Sequence, residues 1–287
     1  SGTPNRGERF DVLGAGTFSA SLTALLLALT LGPSYGWTAF SIASLFLISV
    51  VLFILFVVIE GRMSQEAMLD LYLFLRNRLF AAANLSAFLN YTSYFGVGFL
   101  MSFYLQRVLR LGPAEAGLIL LSMPLVMALL SPASGWLSDR FGSRLLSSAG
   151  MVLMCLGLFM FSTLSVDSSR LDVIVRLLVL GVGMGVFSSP NTSAVMGSVE
   201  KNRLGVAAGT LATMRFMGQS MSLAVMGAVA ATAIPSKILS DLFVGLRSEG
   251  GTVVAEAFVE GIRRGFFVSG FISALGIFTS LVRGKGK

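Results

Sequence analysis

Few residues in this chain could do chemistry, and most of those are charges set in apolar surroundings. There is no His and one Cys, Cys155. That removes His-based acid–base catalysis, the commonest metal ligand and an intrachain disulfide. No nucleophile–base pair, metal-ligand cluster or phosphate loop is spelled out. Gly181-Val-Gly-Met-Gly185 has the look of a nucleotide loop, but it lies inside an apolar run instead of following a strand. The chain does not read as an enzyme, and it implies no cofactor or metal. What remains is the chemistry of charge in a low dielectric, where position decides everything.

One concentration of charge is Gly135-Trp-Leu-Ser-Asp139-Arg140-Phe-Gly142-Ser-Arg144, an island between the apolar runs 114–134 and 145–166. Gly135 and Gly142 permit tight turns and close helix approach. Asp139 can accept from a helix N-terminus or pair with an Arg, while Arg140 and Arg144 can bind carbonyls at helix ends. Together they would fasten one conformation of a gate. The plainer alternative is an ordinary short loop rich in Gly, Asp and Arg.

The second is Arg215, about eleven residues into an apolar segment and so roughly 16 Å deep. An Arg at that depth costs about 2.5–3.5 kcal/mol on insertion scales and must face protein or water. Gln219 and Ser222 share its helix face. Arg215 therefore reads as lining a cavity, with a structural bond to neighbouring carbonyls as the alternative. Arg176 is shallower and can snorkel to the interface. Asn84, Tyr91, Phe95, Gly98 and Ser102 fall within about 40° on one helical wheel, with Tyr94 at the edge. That face suits a cavity for amphipathic substrates or, equally, helix packing through hydrogen bonds. Asn191 joins the candidates beside Pro190, which is expected to end the helix carrying Gly181, Gly183 and Gly185. Those glycines, like Pro124 and Pro132 in an earlier segment, are read first as packing features. No carboxylate lies deep in any segment.

These residues need elements to position them. The composition is 55% hydrophobic and 12% charged, with mean hydropathy +0.84. Ordinary globular domains carry about 25% charged residues, so a soluble protein is excluded. Membrane-length segments lie near 12–32, 39–59, 80–105, 113–134, 145–165, 171–190, 204–232 and 262–282. They are too many and too widely spread for a signal peptide. Each satisfies its own backbone only as a helix, whereas a barrel would show short alternating segments. The expected fold is an all-α polytopic membrane protein with about eight transmembrane helices in a lipid bilayer.

The net charge of +7 is spread thinly over loops, without the basic cluster a nucleic acid would demand. Twelve Lys and Arg fall on one set of loops and seven on the other, with Arg176 and Arg215 inside segments. The bias puts both termini and the Asp139 loop in the cytoplasm. Residues 60–79 suit an amphipathic segment on that interface. Residues 233–261 read as a longer external loop with a Gly-Gly break. The chain opens on Ser1 and a polar linker, as a continuation of something upstream would.

The Asp139 island closely resembles the signature loop of the major facilitator superfamily. Gly181-Val-Gly-Met-Gly-Val-Phe-Ser-Ser-Pro-Asn191-Thr and Leu204-Gly-Val-Ala-Ala-Gly-Thr-Leu-Ala-Thr-Met-Arg215-Phe-Met-Gly-Gln219 resemble the late helices of its fourteen-helix drug:proton antiporters, the QacA/EmrB type. Phe80-Ala-Ala-Ala-Asn84 resembles the start of their C-terminal domain. Leu31-Gly-Pro-Ser-Tyr-Gly-Trp37 is similar to the turn between their two extra central helices. The resemblance implies two central helices over 1–79 and a six-helix domain over 80–287, without the N-terminal six helices. It also implies substrate at the midplane between two rocking domains built of nested inverted repeats, in a prokaryotic cytoplasmic membrane. The implied partners are protons, a small amphipathic substrate and the missing half. Ser143 stands where a basic residue is frequent, which weakens the fastener.

Three functions stay open on this evidence: a proton-driven exporter, a metabolite or anion carrier for which Arg215 is a natural partner, and a non-transporting membrane module.

Overall fold

The computed structural model describes residues 12–62, 71–232 and 251–282, and among these the chain is built of helices without strands. Eight helices are long: α1 (Val12–Tyr35), α2 (Phe40–Arg62), α4 (Arg78–Phe103), α5 (Pro113–Phe141), α6 (Ser143–Phe161), α7 (Arg170–Gly197), α8 (Leu204–Ala231) and α9 (Gly251–Leu281). A short α3 (Leu71–Arg76) precedes α4, a π-turn (Tyr104–Val108) follows it, and a 3-10 turn (Lys201–Arg203) leads into α8. This is the all-α polytopic membrane fold expected.

Six of the long helices, all but α4 and α8, are apolar and long enough to cross a bilayer. The exceptions are equally long but carry polar side chains that are wholly buried in protein, including Asn84, Asn90 and Ser93 on α4 and Ser222 on α8. They spend that polarity on each other: the Gly96 N–H donates to Ser222 Oγ at 2.9 Å. Lower hydropathy here marks an inward-facing helix, because a polar group facing lipid would go unsatisfied.

Helix ends follow local rules. Gly36, at φ 89°, closes α1, and Trp37 folds back so tightly that a Cβ on Gly32 would meet its ring at 2.5 Å. Asn77 caps α4, accepting from Phe80 N–H at 3.0 Å while its Nδ2 donates to Ser198 O at 2.6 Å. That second bond ties the start of α4 to the end of α7. Ser169 caps α7 by accepting from Asp172 N–H at 3.1 Å.

Three boundaries differ from expectation. α7 does not end at Pro190 but continues to Gly197. Pro190 is buried among neighbours, and a packed helix survives one missing hydrogen bond. α5 runs on through the charged island to Phe141, so only Gly142, at φ 86°, makes the turn. α9 begins at Gly251, well before residue 262. Its early charges lower the hydropathy yet support the helix: Glu260 pairs with Arg263 at 3.5 Å and with Arg264 at 3.0 Å. Residues 63–70 of the expected interfacial segment and 233–250 of the expected external loop lie outside the described residues.

Helices α4 to α9 obey an exchange rule. α4 packs on α8 and α9, whereas α7 packs on α5 and α6; α6 meets α9, and α4 meets α7. Swapping α4 with α7, α5 with α8 and α6 with α9 maps one set of contacts onto the other, the pattern of two three-helix repeats. Glycines set the closest approaches, as expected of packing. A Cβ on Gly150 of α6 would meet Gly183 O at 2.7 Å, and one on Gly181 would meet Met123 O of α5 at 2.6 Å. The core between them holds Met151, Met154, Leu158, Phe161, Leu180 and Phe266. α1 and α2 form a hairpin that leans on α8, where Phe18 and Phe56 pack against Met214 and Met217.

Candidate functional site

Arg215 sits where three helices meet. Its Nη2 donates to Thr192 Oγ1 of α7 at 2.7 Å, and its guanidinium lies over the Tyr91 ring of α4, 5.6 Å from the centroid. Thr192 donates its own proton to Ser188 O at 2.8 Å, so the oxygen offers Arg215 a lone pair. Tyr91 stacks obliquely on Tyr94 at 5.5 Å. The approach of α8 to α4 that allows this is set three residues on, where a Cβ on Gly218 would meet Phe88 O at 2.6 Å.

The guanidinium is under-used. Its Nε is buried without an acceptor, and no carboxylate among the described residues pairs with it. An Arg brings five donors in a rigid fork. This fork is oriented by one hydrogen bond and one aromatic face, leaving an edge free for an oxygen acceptor.

The other candidates divide around it. Gln219 is half-buried one turn along α8, whereas Ser222 turns into α4. Asn84 and Asn191 are fully buried, and Asn84 donates to Phe80 O at 2.9 Å. Phe95 and Gly98 are exposed, so the polar-aromatic face of α4 is covered in its Asn84 half and open beyond Tyr94. The structure thus brings Arg215, Tyr91, Tyr94 and Thr192 together and leaves Asn84 a turn and more away.

Arg176 lies at the other end of the bundle and does not snorkel. It is 8% exposed, pairs with Asp172 at 2.9 Å, and donates to Met160 O and, at 3.2 Å, to Thr163 Oγ1. Arg263 of α9 donates to Ser162 O at 2.9 Å. Two arginines from different helices therefore cap the C-terminal end of α6, where carbonyls lack partners and the dipole favours cations. Arg170 and Glu115 add an exposed pair between α5 and α7.

The charged island holds its residues apart. Gly135 packs against Ser189, with a Cβ there 2.8 Å from its Oγ, and Ser134 donates to Gly185 O at 2.7 Å. Arg140 stacks over Trp136, 4.1 Å from the ring centroid. Asp139 and Arg144 are exposed and make no hydrogen bond or ion pair with the described residues. The fastening contacts these residues could make are not formed among the described residues.

Three residues escaped the reading of the sequence. Thr192 was legible only as a helix-end signal. Arg263 was counted only as a loop charge. Glu60, at the end of α2, is 2% exposed; an acid closing an otherwise apolar run was the available signal.

The fold is a polytopic helical membrane bundle in which α4 to α9 pack as two three-helix repeats. Comparison with known proteins agrees, since the family model for the Major Facilitator Superfamily matches residues 2–223 and 83–284. The chain belongs to the Major Facilitator Superfamily. It is 30% identical over 236 residues to the multidrug transporter protein MdtP of Bacillus subtilis, covering 82% of this chain and 43% of that protein. It is 33% identical over 226 residues to the multidrug resistance protein Stp of Mycobacterium tuberculosis, covering 79% and 42%. With the riboflavin transporter RibZ of Clostridioides difficile the identity is 31% over 217 residues, covering 76% and 46%. The chain spans less than half the length of these relatives.

Proposed function

We propose that this chain is the C-terminal portion of a proton-coupled, fourteen-helix exporter of amphipathic compounds that works by alternating access. In this reading α1 and α2 are the two central helices. α4 to α9 form the C-terminal domain, with its Asp139 end in the cytoplasm. The single observation that carries the reading is the Arg215 cluster, an under-satisfied cation with an aromatic wall contributed by three helices. A charge so placed serves a partner that comes from outside the described chain, whether substrate or an acidic residue of the other half. The relatives named as multidrug transporters support the cargo class, and proton coupling rests on the resemblance of the late helices.

The reading is tested by joining the chain to its upstream half and measuring accumulation of a lipophilic dye inside everted vesicles, where export runs inward. Export should collapse with a protonophore and with Arg215→Ala. Dye retention that ignores the proton gradient would overturn the coupling, and absence of dye movement would overturn the cargo. Sidedness is checked separately in a Cys155→Ser background. Asp167→Cys should react with an impermeant thiol reagent on intact cells, and Ser143→Cys should not.

A second reading, a metabolite or anion carrier of the same fold, is favoured by the free donor edge of Arg215 and by the relative named as a riboflavin transporter. Stimulation by flavins or carboxylates in place of cationic dyes would select it.

A further inference from the structure

At the Asp139 end the termini of α4, α5, α6, α7 and α9 enclose a half-open basin of about 950 Å³. Its polar wall is Asp139, Arg140 and Arg144, and its apolar wall includes Leu79, Leu145 and Leu281. We propose that this basin is a binding site for an anionic phospholipid with a hydroxyl-bearing headgroup. The phosphate sits at the two arginines and the acyl chains run along the leucines.

Four observations carry the assignment. The basin is lined by the last and first turns of membrane-spanning helices, which places it at headgroup depth. Both arginines lack a carboxylate partner among the described residues, and Arg140 is held in place by Trp136. Free guanidinium groups at that depth are the usual receptors for lipid phosphates. The rim is apolar and uncovered: Phe141 is 63% and Leu145 61% exposed, and an indole beside them sits where aromatic side chains anchor to the interface. Finally, Asp139 would repel a bare phosphate but accepts from a headgroup hydroxyl, which selects phosphatidylglycerol over a free anion. Half the wall being apolar argues the same way. None of this depends on what the transporter carries.

The test uses Trp136 as its own reporter. In the full-length protein carrying Trp37→Phe, with every Trp of the upstream half also replaced by Phe so that Trp136 alone reports, quenching by brominated phosphatidylglycerol is compared with quenching by brominated phosphatidylcholine. The glycerol lipid should bind about tenfold more tightly, and Arg140→Gln with Arg144→Gln should bring the two lipids to parity. Arg170→Gln, at the far end of the bundle, should preserve the preference and so control for general loss of charge. Soluble glycerol phosphate in millimolar excess should not relieve the quenching. Equal quenching by both lipids in the parent chain would overturn the proposal. So would an undiminished preference in the double variant, or competition by glycerol phosphate.

Discussion

Arg176 and Arg215 are both arginines on membrane-spanning helices, yet the chain treats them in opposite ways. Arg176 has an ion pair, two further hydrogen bonds and the carbonyl end of α6 to neutralise. Arg215 has one hydroxyl and the face of a tyrosine, and its Nε has nothing. Taking a guanidinium out of water costs several kcal/mol unless its donors are met. A charge whose demand is met within its own domain belongs to the architecture. A charge left in deficit is open to a partner beyond the described residues. Depth alone did not distinguish them; the inventory of bonds does.

The contrast breaks most visibly at Arg176. Arg176→Ala should destabilise the protein by about 2–3 kcal/mol, since it frees Asp172 and removes one of the two arginines that cap α6. Thermal unfolding in detergent should fall by about 5–10 °C, with yield and transport falling together. Normal melting with selective loss of transport would show that Arg176 is functional after all. Arg215→Ala should do the reverse: melting within about 2 °C of the parent, and transport by the full-length protein reduced about thirtyfold or more, the loss of one or two charged hydrogen bonds. Arg215→Lys should recover only part of this, because a point charge cannot replace a planar fork.

How legible was this in advance? Long apolar runs with capped ends define helices whatever the partner, so six of the eight spans could be read from hydropathy, and α4 and α8 from their length. Glycines at 181, 183 and 185 told of close packing for the same local reason. α9 was read short because its Glu260–Arg263–Arg264 turn looks like loop by composition, and only pairing along the helix shows otherwise. Arg215 was found because a charge deep in lipid is costly in itself. Its partners were not, since Thr192 and Tyr91 lie 23 and 124 positions away in sequence and meet Arg215 only through packing. The same limit hid the capping role of Arg176 and Arg263. A bond to a backbone carbonyl leaves no trace in residue type.

Asp139 extends the comparison to the surface, as a third charge and, like Arg215, one without an ionic partner among the described residues. Asp139→Asn should leave melting unchanged, because no contact among the described residues is lost. In the full-length protein it should lower transport about tenfold, the value of one charge-assisted contact made across the two halves. Unaltered transport at normal expression would make the island an ordinary connector, and a drop in melting temperature would place its partner inside this domain.

The smallest effect is the most diagnostic of how Arg215 is held. Thr192 contributes one oxygen, already oriented by its bond to Ser188 O, and that oxygen fixes Nη2 while Tyr91 fixes the plane of the guanidinium. Thr192→Val keeps the shape and removes the oxygen, so Arg215 retains its charge but loses its bearing. Transport should fall about three- to tenfold, the net value of about 1 kcal/mol for one such bond, with melting unchanged. Thr192→Ser keeps the oxygen and should restore most of the activity. Loss as deep as in Arg215→Ala would give Thr192 a role of its own toward the cargo. No loss at all would mean that Tyr91 alone aligns the guanidinium, and the Thr192→Val, Arg215→Ala pair measured as a cycle separates these cases.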